Sequence, residues 1–556
     1  MKNRRIKSYA GGPLMAVDAL GRATPESGKD APAPRGGRLV GLFYFLWLGE
    51  HGRHKPYDVS KIVAEDSGIG YQPDSEKWGG VGVYHHWGEP FYGYYYSDDE
   101  WVVRRHMKLI MQADIDFLFF DTTNAVIYER NAALVMRVLQ EYHDEGWKIP
   151  RVMFYTNTRS GETVQRIYET IYRPAYCKDT WFCLDGKPVI IAAPDECSEE
   201  ARAFFNIKLS QWPNEPDKRG GWPWMDFTRP QRVFENLSGE REVINVSVAQ
   251  HPQLRFGDSV LYGETGNCGR AFHHGRNDPD PQAYLHGYNF AEQFERALET
   301  DPPIVLVTGW NEWIAGYWPG IPERPVMFVD CANYEYSRDI EMMRGGYFDN
   351  YFMQLVSYVR RYKGAPEVPM YPASDGYDTG VAVYDSFSDG DFARCAEGQG
   401  GVIYENRTQR NVILQVAVSH DGEDLSFCVK TKSPVTPYDG QGSWMTIYLN
   451  TEGGIGYQYV INHTPAADGT TTVARVAECG ERLACGESEN IRTHYEVEGD
   501  QFRIRIPRRA LGLDHPQFTV WFKVADSTEP YLSIEDFYDK GNAAPLGRLN
   551  YVYRGE

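Results

Sequence analysis

The stretch Pro303-Ile-Val-Leu-Val-Thr-Gly-Trp-Asn-Glu-Trp313 carries the clearest fold signal in the chain. Its first half is an unbroken apolar run, which is typical of a parallel strand buried on both faces. The run then ends abruptly in glycine, two tryptophans, an amide and a carboxylate. In α/β barrels the chemistry lies at the carboxyl ends of such strands. The stretch therefore predicts a barrel strand that presents polar groups and indoles at a functional face.

Glu312 is the first candidate catalytic residue because it lies between Trp310 and Trp313. Indoles offer flat apolar faces to the C–H groups of a sugar, and desolvation raises the pKa of a carboxyl group toward that of a general acid. We therefore expect Glu312 to act as the acid or base, with Trp310, Asn311 and Trp313 in contact with the substrate. The alternative is that Glu312 caps the next helix and the indoles pack under a loop.

Strands and helices alternate upstream of this stretch. Expected strands are residues 39–47, 116–121, 151–156, 188–193, 206–212 and 242–249, and expected helices are 98–113, 131–145, 162–172, 290–299 and 349–362. With the strand at Pro303 this makes seven, and we expect the eighth between Arg255 and Tyr288. Repeated βα units of this kind predict an α/β fold, a (β/α)8 TIM-type barrel. A doubly wound sheet remains the alternative, although no GxGxxG loop follows the first strand.

Changes in composition and residue pattern divide the chain into four segments. Residues 1–37 are rich in Gly, Pro and charge and predict an extended arm, 38–364 the barrel, and 365–374 a Pro-rich linker. From 375 to 556 short runs alternate apolar and polar residues, as in Asn411–Val418, and Gly, Asn or Asp turns separate them. This pattern predicts an antiparallel β-sandwich.

Composition excludes several classes of function. The chain has 556 residues, a formal charge of −20 and no Lys/Arg-rich block, which argues against a nucleic-acid partner. No apolar run is long enough to cross a membrane. Nine scattered Cys without CxxC spacing favour reduced thiols, and the basic Met1–Arg5 precedes no apolar segment, so we expect a cytoplasmic protein. The sequence does not indicate an oligomeric state.

Glycoside hydrolysis needs a second carboxyl group. Asp121 ends a fully apolar strand and precedes the polar run Thr122-Thr123-Asn124, so it either faces the cleft or caps the following helix. Glu264 lies in the Gly-rich loop Tyr262-Gly-Glu-Thr-Gly-Asn and is a further catalytic candidate. The charged residues of Asp330–Asp339 are expected to form a salt-bridged loop.

Several aromatic and histidine residues are candidates for sugar contacts. Neighbouring His beside Trp and Tyr suit hydrogen bonds to sugar hydroxyls, whereas no HExxH or closed ligand set indicates a metal, and no cofactor is expected. The expected substrate-binding residues, besides those around Glu312, are Tyr44, Trp47, His85, His86, Trp87, His273, His274 and Arg276.

Residues 38–364 resemble the glycoside hydrolase family 99-like group of endo-α-mannosidases and the related domains of polysaccharide-biosynthesis proteins. The resemblance rests on Tyr44…Trp47, on Trp181-Phe-Cys-Leu-Asp-Gly-Lys-Pro-Val-Ile and above all on Trp310-Asn-Glu-Trp313. It implies that Glu312 assists attack by the sugar's own 2-hydroxyl. The acid/base of that family falls on Ala315, which cannot transfer protons, so Asp121 or Glu264 would have to replace it.

The C-terminal segment resembles carbohydrate-binding module family 9 in Ser419–Phe427, Ser443–Asn450 and Gly456–Asn462. Together the two resemblances imply a glycosidase that cleaves an α-linked glycan, with carbohydrate as its partner. The alternative is a non-catalytic glycan-binding or polysaccharide-assembly protein.

Overall fold

The chain folds into two compact units. The computed structural model describes residues 6–9, 14–253, 255, 257–262, 266–329, 331–374, 381–476, 480–485 and 491–556. The first unit consists mainly of Pro34–Gly364 with Ala396–Ile403, and the second of Lys7–Ala33, Ala365–Cys395 and Tyr404–Glu556. Among the described helices none has the length and apolarity needed to span a membrane.

Eight parallel strands form the main sheet of the first unit. They are β1 (Leu39–Tyr44), β2 (Phe117–Thr122), β3 (Arg151–Thr156), β4 (Lys187–Ala192), β5 (Asn206–Gln211), β6 (Gly221–Pro223), β7 (Arg241–Ser247) and β8 (Ile304–Thr308). They follow one another around the sheet in chain order, and β8 pairs with β1. The eighth strand is therefore β6, not a strand between Arg255 and Tyr288 as predicted. Three paired residues are too few to produce a periodic signal in the sequence.

The sheet is a nearly closed barrel, with its gap between β6 and β7. The strand Val233–Glu235 pairs antiparallel with β7. Its Glu235 carbonyl accepts a hydrogen bond of 2.7 Å from the N–H of Gly220, next to β6. The Trp222 indole N–H also donates to the Glu242 carboxylate at 2.9 Å. An antiparallel strand and a side-chain contact thus bridge the gap.

Helices follow six of the eight strands. They are α1 (Glu100–Gln112), α2 (Glu129–Asp144), α3 (Ser160–Ile167), α4 (Glu199–Phe204), α5 (Tyr288–Thr300) and α6 (Asn350–Lys363). The expected helices lie within a few residues of these bounds, since their apolar residues recur at helical spacing. No helix follows β5 or β6, whose connections are fully described. The predicted α/β class is confirmed, whereas a regular (β/α)8 barrel is not established.

Long loops after β1, β7 and β8 carry small sheets of their own. The loop after β1 contains the helix Val59–Glu65 and the strand Tyr84–His86. This strand pairs with Ile314–Ile321, which pairs in turn with Arg324–Phe328. The loop after β7 contains the hairpin Phe272–His273 and Arg276–Asn277. The segment that follows Trp313 is thus a strand, so the alternative in which Glu312 caps a following helix is wrong.

Aromatic rings fill the interior of the barrel. Alternate residues of the strands point inward, and Phe43 stacks on Phe119 with 4.7 Å between ring centroids. Phe117 stacks on Phe182 at 4.0 Å. Gly41 provides the room for Phe117, because a Cβ at Gly41 would lie 2.3 Å from the ring. The barrel is therefore a packed core.

The second unit is a large antiparallel sheet. Its strands are Leu14–Met15, Met370–Tyr371, Ala382–Asp385, Ile413–His420, Asp424–Thr431, Ser443–Asn450, Tyr459–Ile461, Thr470–Arg475, Ile491–Glu498, Gln501–Pro507, Phe518–Ser527, Asn542–Ala544 and Asn550–Gly555. Hydrogen bonds connect them all into one sheet rather than two. The sheet bends back on itself, since Phe427 and Phe522 on distant strands contact at 5.2 Å. Antiparallel β structure was predicted correctly.

The N-terminal segment differs from the extended arm predicted for residues 1–37. Leu14–Met15 pairs with Asn550–Gly555, and Met15 and Val17 pack against Trp521 and Val552. The segment joins the sheet because it contains apolar residues among its Gly and Pro. Residues 1–5 and 10–13 lie outside the described residues.

We expect Gly41→Ala to destabilise the first unit by about 1–3 kcal/mol, since the added methyl group overpacks the barrel against Phe117. Urea unfolding followed by tryptophan fluorescence measures the change. Gly36→Ala is the matched control, because nothing lies within 4 Å of the added Cβ. Equal stability of the two variants would contradict the packing described here.

Candidate active site

A cavity of about 320 Å³ lies at the carboxyl ends of the barrel strands. Its lining residues are Phe43, Phe45, Trp47, Asp121, Thr123, Asn124, Trp212, Trp224, Phe227, His251, Glu312, Val329 and Arg338. They come from the ends of six strands, β1, β2, β5, β6, β7 and β8, or from the loops after them. This is the position of active sites in α/β barrels.

Aromatic side chains make up much of the cavity wall. The rings of Trp212 and Trp224 are perpendicular, with centroids 5.5 Å apart. Phe45 packs against Trp47 at 5.5 Å. Trp47, Trp212 and Trp224 are half-buried, so part of each indole remains accessible. Such walls suit the apolar faces of sugar rings.

Glu312 forms a buried ion pair with Arg338. Its Oε2 accepts a hydrogen bond of 2.9 Å from Arg338 Nε and a second from Nη2. Glu312 is 4% exposed and Arg338 2%. A guanidinium that donates to one carboxylate oxygen in this way stabilises the ionised form. Arg338, which the sequence places in a charged loop, thus forms a long-range ion pair with the end of β8.

His251 continues the hydrogen-bonded chain. Its Nε2 lies 2.7 Å from the Tyr336 carbonyl, which can only accept, so Nε2 carries the proton. Its Nδ1 therefore accepts from Arg338 Nη1 at 3.2 Å. Tyr336, His251, Arg338 and Glu312 thus form one polar chain along the cavity wall.

Asp339 and Glu341, next to Arg338, fix the loop that carries Glu312. Asp339 accepts from the Glu312 backbone N–H and, at 2.8 Å, from the Trp87 indole N–H. Glu341 accepts from the indole N–H of Trp313 at 2.5 Å. Burial raises the pKa of Asp339 to about 7, against the opposing effect of nearby Arg270. Residues 338–341 and 310–313 are thereby locked together.

Glu341 also anchors a polar chain beneath β1. His106 Nε2 donates to Glu341 Oε1 at 2.9 Å, and Tyr95 donates its hydroxyl to Oε2 at 2.7 Å. His106 Nδ1 lies 3.0 Å from the Tyr44 hydroxyl. All four side chains are buried. The predicted sugar-binding residue Tyr44 is therefore part of this internal network.

Asp121 lines the same cavity as Glu312. Its Oδ1 accepts from the backbone N–H of Thr123 at 3.0 Å, an Asx-type turn at the end of β2. The next helix, α2, has Tyr128 at its N-cap position. Asp121 consequently does not cap that helix, and the alternative in which it faces the cleft agrees with its position.

Most of the predicted sugar-binding residues lie away from the cavity. Trp310 and Trp313 are 0% exposed, and Trp313 stacks on Trp87 at 4.5 Å. Asn311 is buried, and its amide exchanges hydrogen bonds with the backbone of Phe45. Of the predicted aromatics only Trp47 lines the cavity. The structure therefore places both indoles in the interior, whereas Arg338 lies beside Glu312 in the cavity.

The predicted histidines are also outside the cavity. His85 and His86 are buried, and burial lowers their pKa values to about 4 and about 3. His85, in the loop after β1, packs on Phe328 of the loop after β8, with the ring centroids 5.1 Å apart. His273, His274 and Arg276 belong to the separate hairpin of the β7 loop. Glu264 and Asp330 lie outside the described residues.

Sequence reasoning missed several residues of the cavity. Arg338 and His251 belong to loops without a motif, and Phe227 and Val329 give no separate signal. Trp212 and Trp224 follow β5 and the three-residue β6. The available signal was a position at a strand end, which Trp212 has in the expected strand 206–212 and which the unrecognised β6 concealed for Trp224. No group of three or more His, Cys, Asp or Glu within the described residues could hold a metal ion.

No protein-family model matches the chain, and no curated protein does. Among solved structures it is similar to the GH99 endo-alpha-mannosidase from Bacteroides thetaiotaomicron, at 13% identity and a TM-score of 0.34, over 58% of this chain and 97% of that one. A structure of that enzyme in complex with BIS-TRIS-propane is 14% identical, with a TM-score of 0.34, over 58% of this chain and 96% of that one. A glycoside hydrolase-like protein is 14% identical, with a TM-score of 0.32, over 61% of this chain and 98% of that one. Such TM-scores do not establish a shared fold, so the fold description rests on the strand order.

We expect Arg338→Met to destabilise the first unit by about 3–5 kcal/mol, because it leaves Glu312 buried without its cation. The double variant Arg338→Met/Glu312→Gln should recover much of this loss, since the buried charge is removed as well. Urea unfolding of the single variants Arg338→Met and Glu312→Gln and of the double variant measures the difference. A double variant as unstable as the sum of the two single variants would contradict the ion pair.

The pH dependence of stability should report Asp339. Between its ordinary value of 3.8 and about 7 the folded state retains a proton that the unfolded state has lost. This stabilisation is complete below 3.8, is lost as the pH rises to about 7, and amounts to a few kcal/mol at most.

The measurement is the free energy of unfolding of the wild type minus that of Asp339→Asn, which should decrease over this pH range. The exposed Asp195→Asn is the control and should give a flat difference. A flat difference for Asp339→Asn as well would show that the buried carboxyl group does not titrate in this range.

Proposed function

We propose that this chain is a glycoside hydrolase that binds a glycan in the cavity and cleaves it with Asp121 and Glu312. The single observation that carries the proposal is that two carboxylates, from the ends of β2 and β8, line one aromatic cavity. Glycoside hydrolases typically use a pair of carboxyl groups, one on either side of the scissile glycosidic bond. The family resemblance of the sequence favours an α-linked glycan.

The partners of the two carboxylates favour different roles. Arg338 stabilises Glu312 as a carboxylate, the form that acts as base, nucleophile or charge stabiliser. A general acid must be protonated, which the guanidinium opposes. We therefore assign proton donation to Asp121, the second carboxyl group of the cavity. Of the two roles expected for Glu312 from the sequence, acid or base, the proposal keeps the base, in line with the assistance to attack that the family resemblance implies.

A second candidate is a glycan-binding protein without hydrolytic activity. It is favoured by the buried ion pair of Glu312 and by Ala315, which is buried and pairs with His85 in the strand after Trp313. In this case Asp121, Asn124 and the aromatic walls bind sugar, and no bond is cleaved.

The test is hydrolysis of a panel of α- and β-linked oligosaccharides by the purified chain, with binding measured in parallel. Release of reducing ends supports the hydrolase. Binding without release supports the second candidate, and neither binding nor release contradicts both.

If the chain is a hydrolase, Asp121→Asn and Glu312→Gln should each lower kcat by about 10²- to 10⁴-fold. The double variant should be little worse than either, since the two groups act as one unit. Asp278→Asn, a carboxylate outside the cavity, is the matched control and should retain activity. Near-normal kcat in a folded Asp121→Asn would remove Asp121 from the mechanism.

A further inference from the structure

A second cavity, of about 740 Å³, lies at the opposite end of the barrel from Asp121 and Glu312. We call it the lower cavity. Its lining comes from the first residues of β1 and β3 and from the connections that lead into β2, β3 and β4. These are the amino ends of the strands, whereas the candidate active site lies at their carboxyl ends. The volume of the lower cavity suits a small molecule.

Two of the charged groups of the lower cavity have partners within the protein. Asp116 accepts hydrogen bonds of 2.8 Å from Lys363 Nζ and from the Val40 N–H. Lys148 Nζ lies 2.7 Å from the carboxylate of Asp114. Both side chains are therefore held by neighbouring groups of opposite charge.

Arg151 differs from these groups. It is the first residue of β3 and is half-buried, yet its guanidinium forms no hydrogen bond or ion pair with another residue of the described chain. Burial lowers the pKa of Arg151, and Asp179 opposes this effect only through its field. A partly desolvated cation without a close anion lowers the stability of a fold. All five N–H donors of Arg151 are thus available to a ligand.

The lower cavity is a positive region of an acidic protein. Its ionisable side chains include three cationic groups and two carboxylates, so its formal charge is +1 with His143 neutral, whereas the whole chain carries −20. Lys178, which is exposed, is a second cation besides Arg151 without a described hydrogen bond or ion pair. Such a region attracts anions.

Aromatic side chains complete the wall of the lower cavity. Trp181 is half-buried, and its indole N–H donates to the Tyr176 carbonyl at 3.0 Å, which fixes the ring. Phe182, the next residue, is buried in the same wall. A flat, partly accessible indole suits the ring of a ligand.

We propose that the lower cavity binds a phosphate monoester that carries a ring, such as a nucleoside monophosphate. Arg151 holds two phosphate oxygens through its planar fork of N–H donors, and Lys178 adds a point charge. The ring lies against Trp181. A phosphate monoester fits better than a carboxylate because its charge of about −1.5 to −2 matches two cations. The proposal does not depend on the proposed glycosidase.

The experiment is isothermal titration of the full chain at low salt with adenosine monophosphate, adenosine and inorganic phosphate. We expect adenosine monophosphate to bind at least about tenfold more tightly than adenosine, because close charge pairs near a protein surface contribute that much. Inorganic phosphate should also bind more weakly, since it lacks the ring. Added salt should weaken the binding of adenosine monophosphate.

Arg151→Met should weaken the binding of adenosine monophosphate at least about tenfold. It should not lower the free energy of unfolding, because no partner of Arg151 within the described chain is lost. Arg166→Met, at an exposed position outside the cavity, is the matched control and should bind like the wild type. If Arg151→Met does not fold, the exposed Lys178→Gln decides, with an expected loss of about two- to fivefold.

The thiol of Cys183 reports where the ligand binds. Cys183 is exposed, lines the lower cavity and lies close enough to Arg151 to influence its charge. Adenosine monophosphate should slow alkylation of Cys183 by iodoacetamide, measured by peptide mass spectrometry. The exposed Cys395 of the second unit is the internal control and should react at an unchanged rate.

Three results would overturn the inference: equal binding of adenosine monophosphate and adenosine, unchanged binding by a folded Arg151→Met, or unprotected Cys183. None of them bears on oligosaccharide hydrolysis, which takes place at the other end of the barrel. Conversely, a chain that hydrolyses no glycan but binds adenosine monophosphate through Arg151 would contradict the glycosidase and support the phosphate site.

Discussion

The ion pair between Glu312 and Arg338 is the interaction on which the site depends. It connects the end of β8 to a loop 26 residues further along the chain. Asp339 and Glu341 on that loop bind the Glu312 backbone and the Trp313 indole, so one short segment supplies three anchors. Breaking the pair would leave a buried charge without its partner, which is strongly destabilising. Because both residues line the cavity, the ion pair fixes this part of its wall.

The barrel could be predicted because its signals are local. The apolar runs Phe117–Phe120 and Val152–Tyr155 predict β2 and β3, and helical periodicity predicts α2 and α6. The position of Glu312 at the end of β8 and of Asp121 at the end of β2 followed from the same runs. Both residues do line one cavity, as parallel strands of a barrel require.

The environment of Glu312 could not be predicted, because it depends on partners distant in sequence. Trp310 and Trp313 lie within two residues of it in the sequence, yet both indoles are buried in the interior. Arg338 reaches the carboxylate through a loop that has no periodic pattern. The burial of the histidines could not be predicted for the same reason. A polar residue in a loop can be buried when its neighbours are aromatic, as His85 is among Trp78, Tyr317 and Phe328. Short pairings such as β6 are invisible to pattern analysis because three residues have no measurable period.

The pairing of Leu14–Met15 with Asn550–Gly555 has a consequence for biosynthesis. The Asn550 side chain donates to the Met15 carbonyl across 535 positions of sequence. The first strand of this sheet is therefore synthesised long before its partner strand, and the whole barrel is synthesised in between. The barrel can fold co-translationally, whereas the sheet becomes complete only when translation has ended. Premature termination would thus leave a folded barrel tethered to an unpaired, apolar strand, a natural substrate for chaperones.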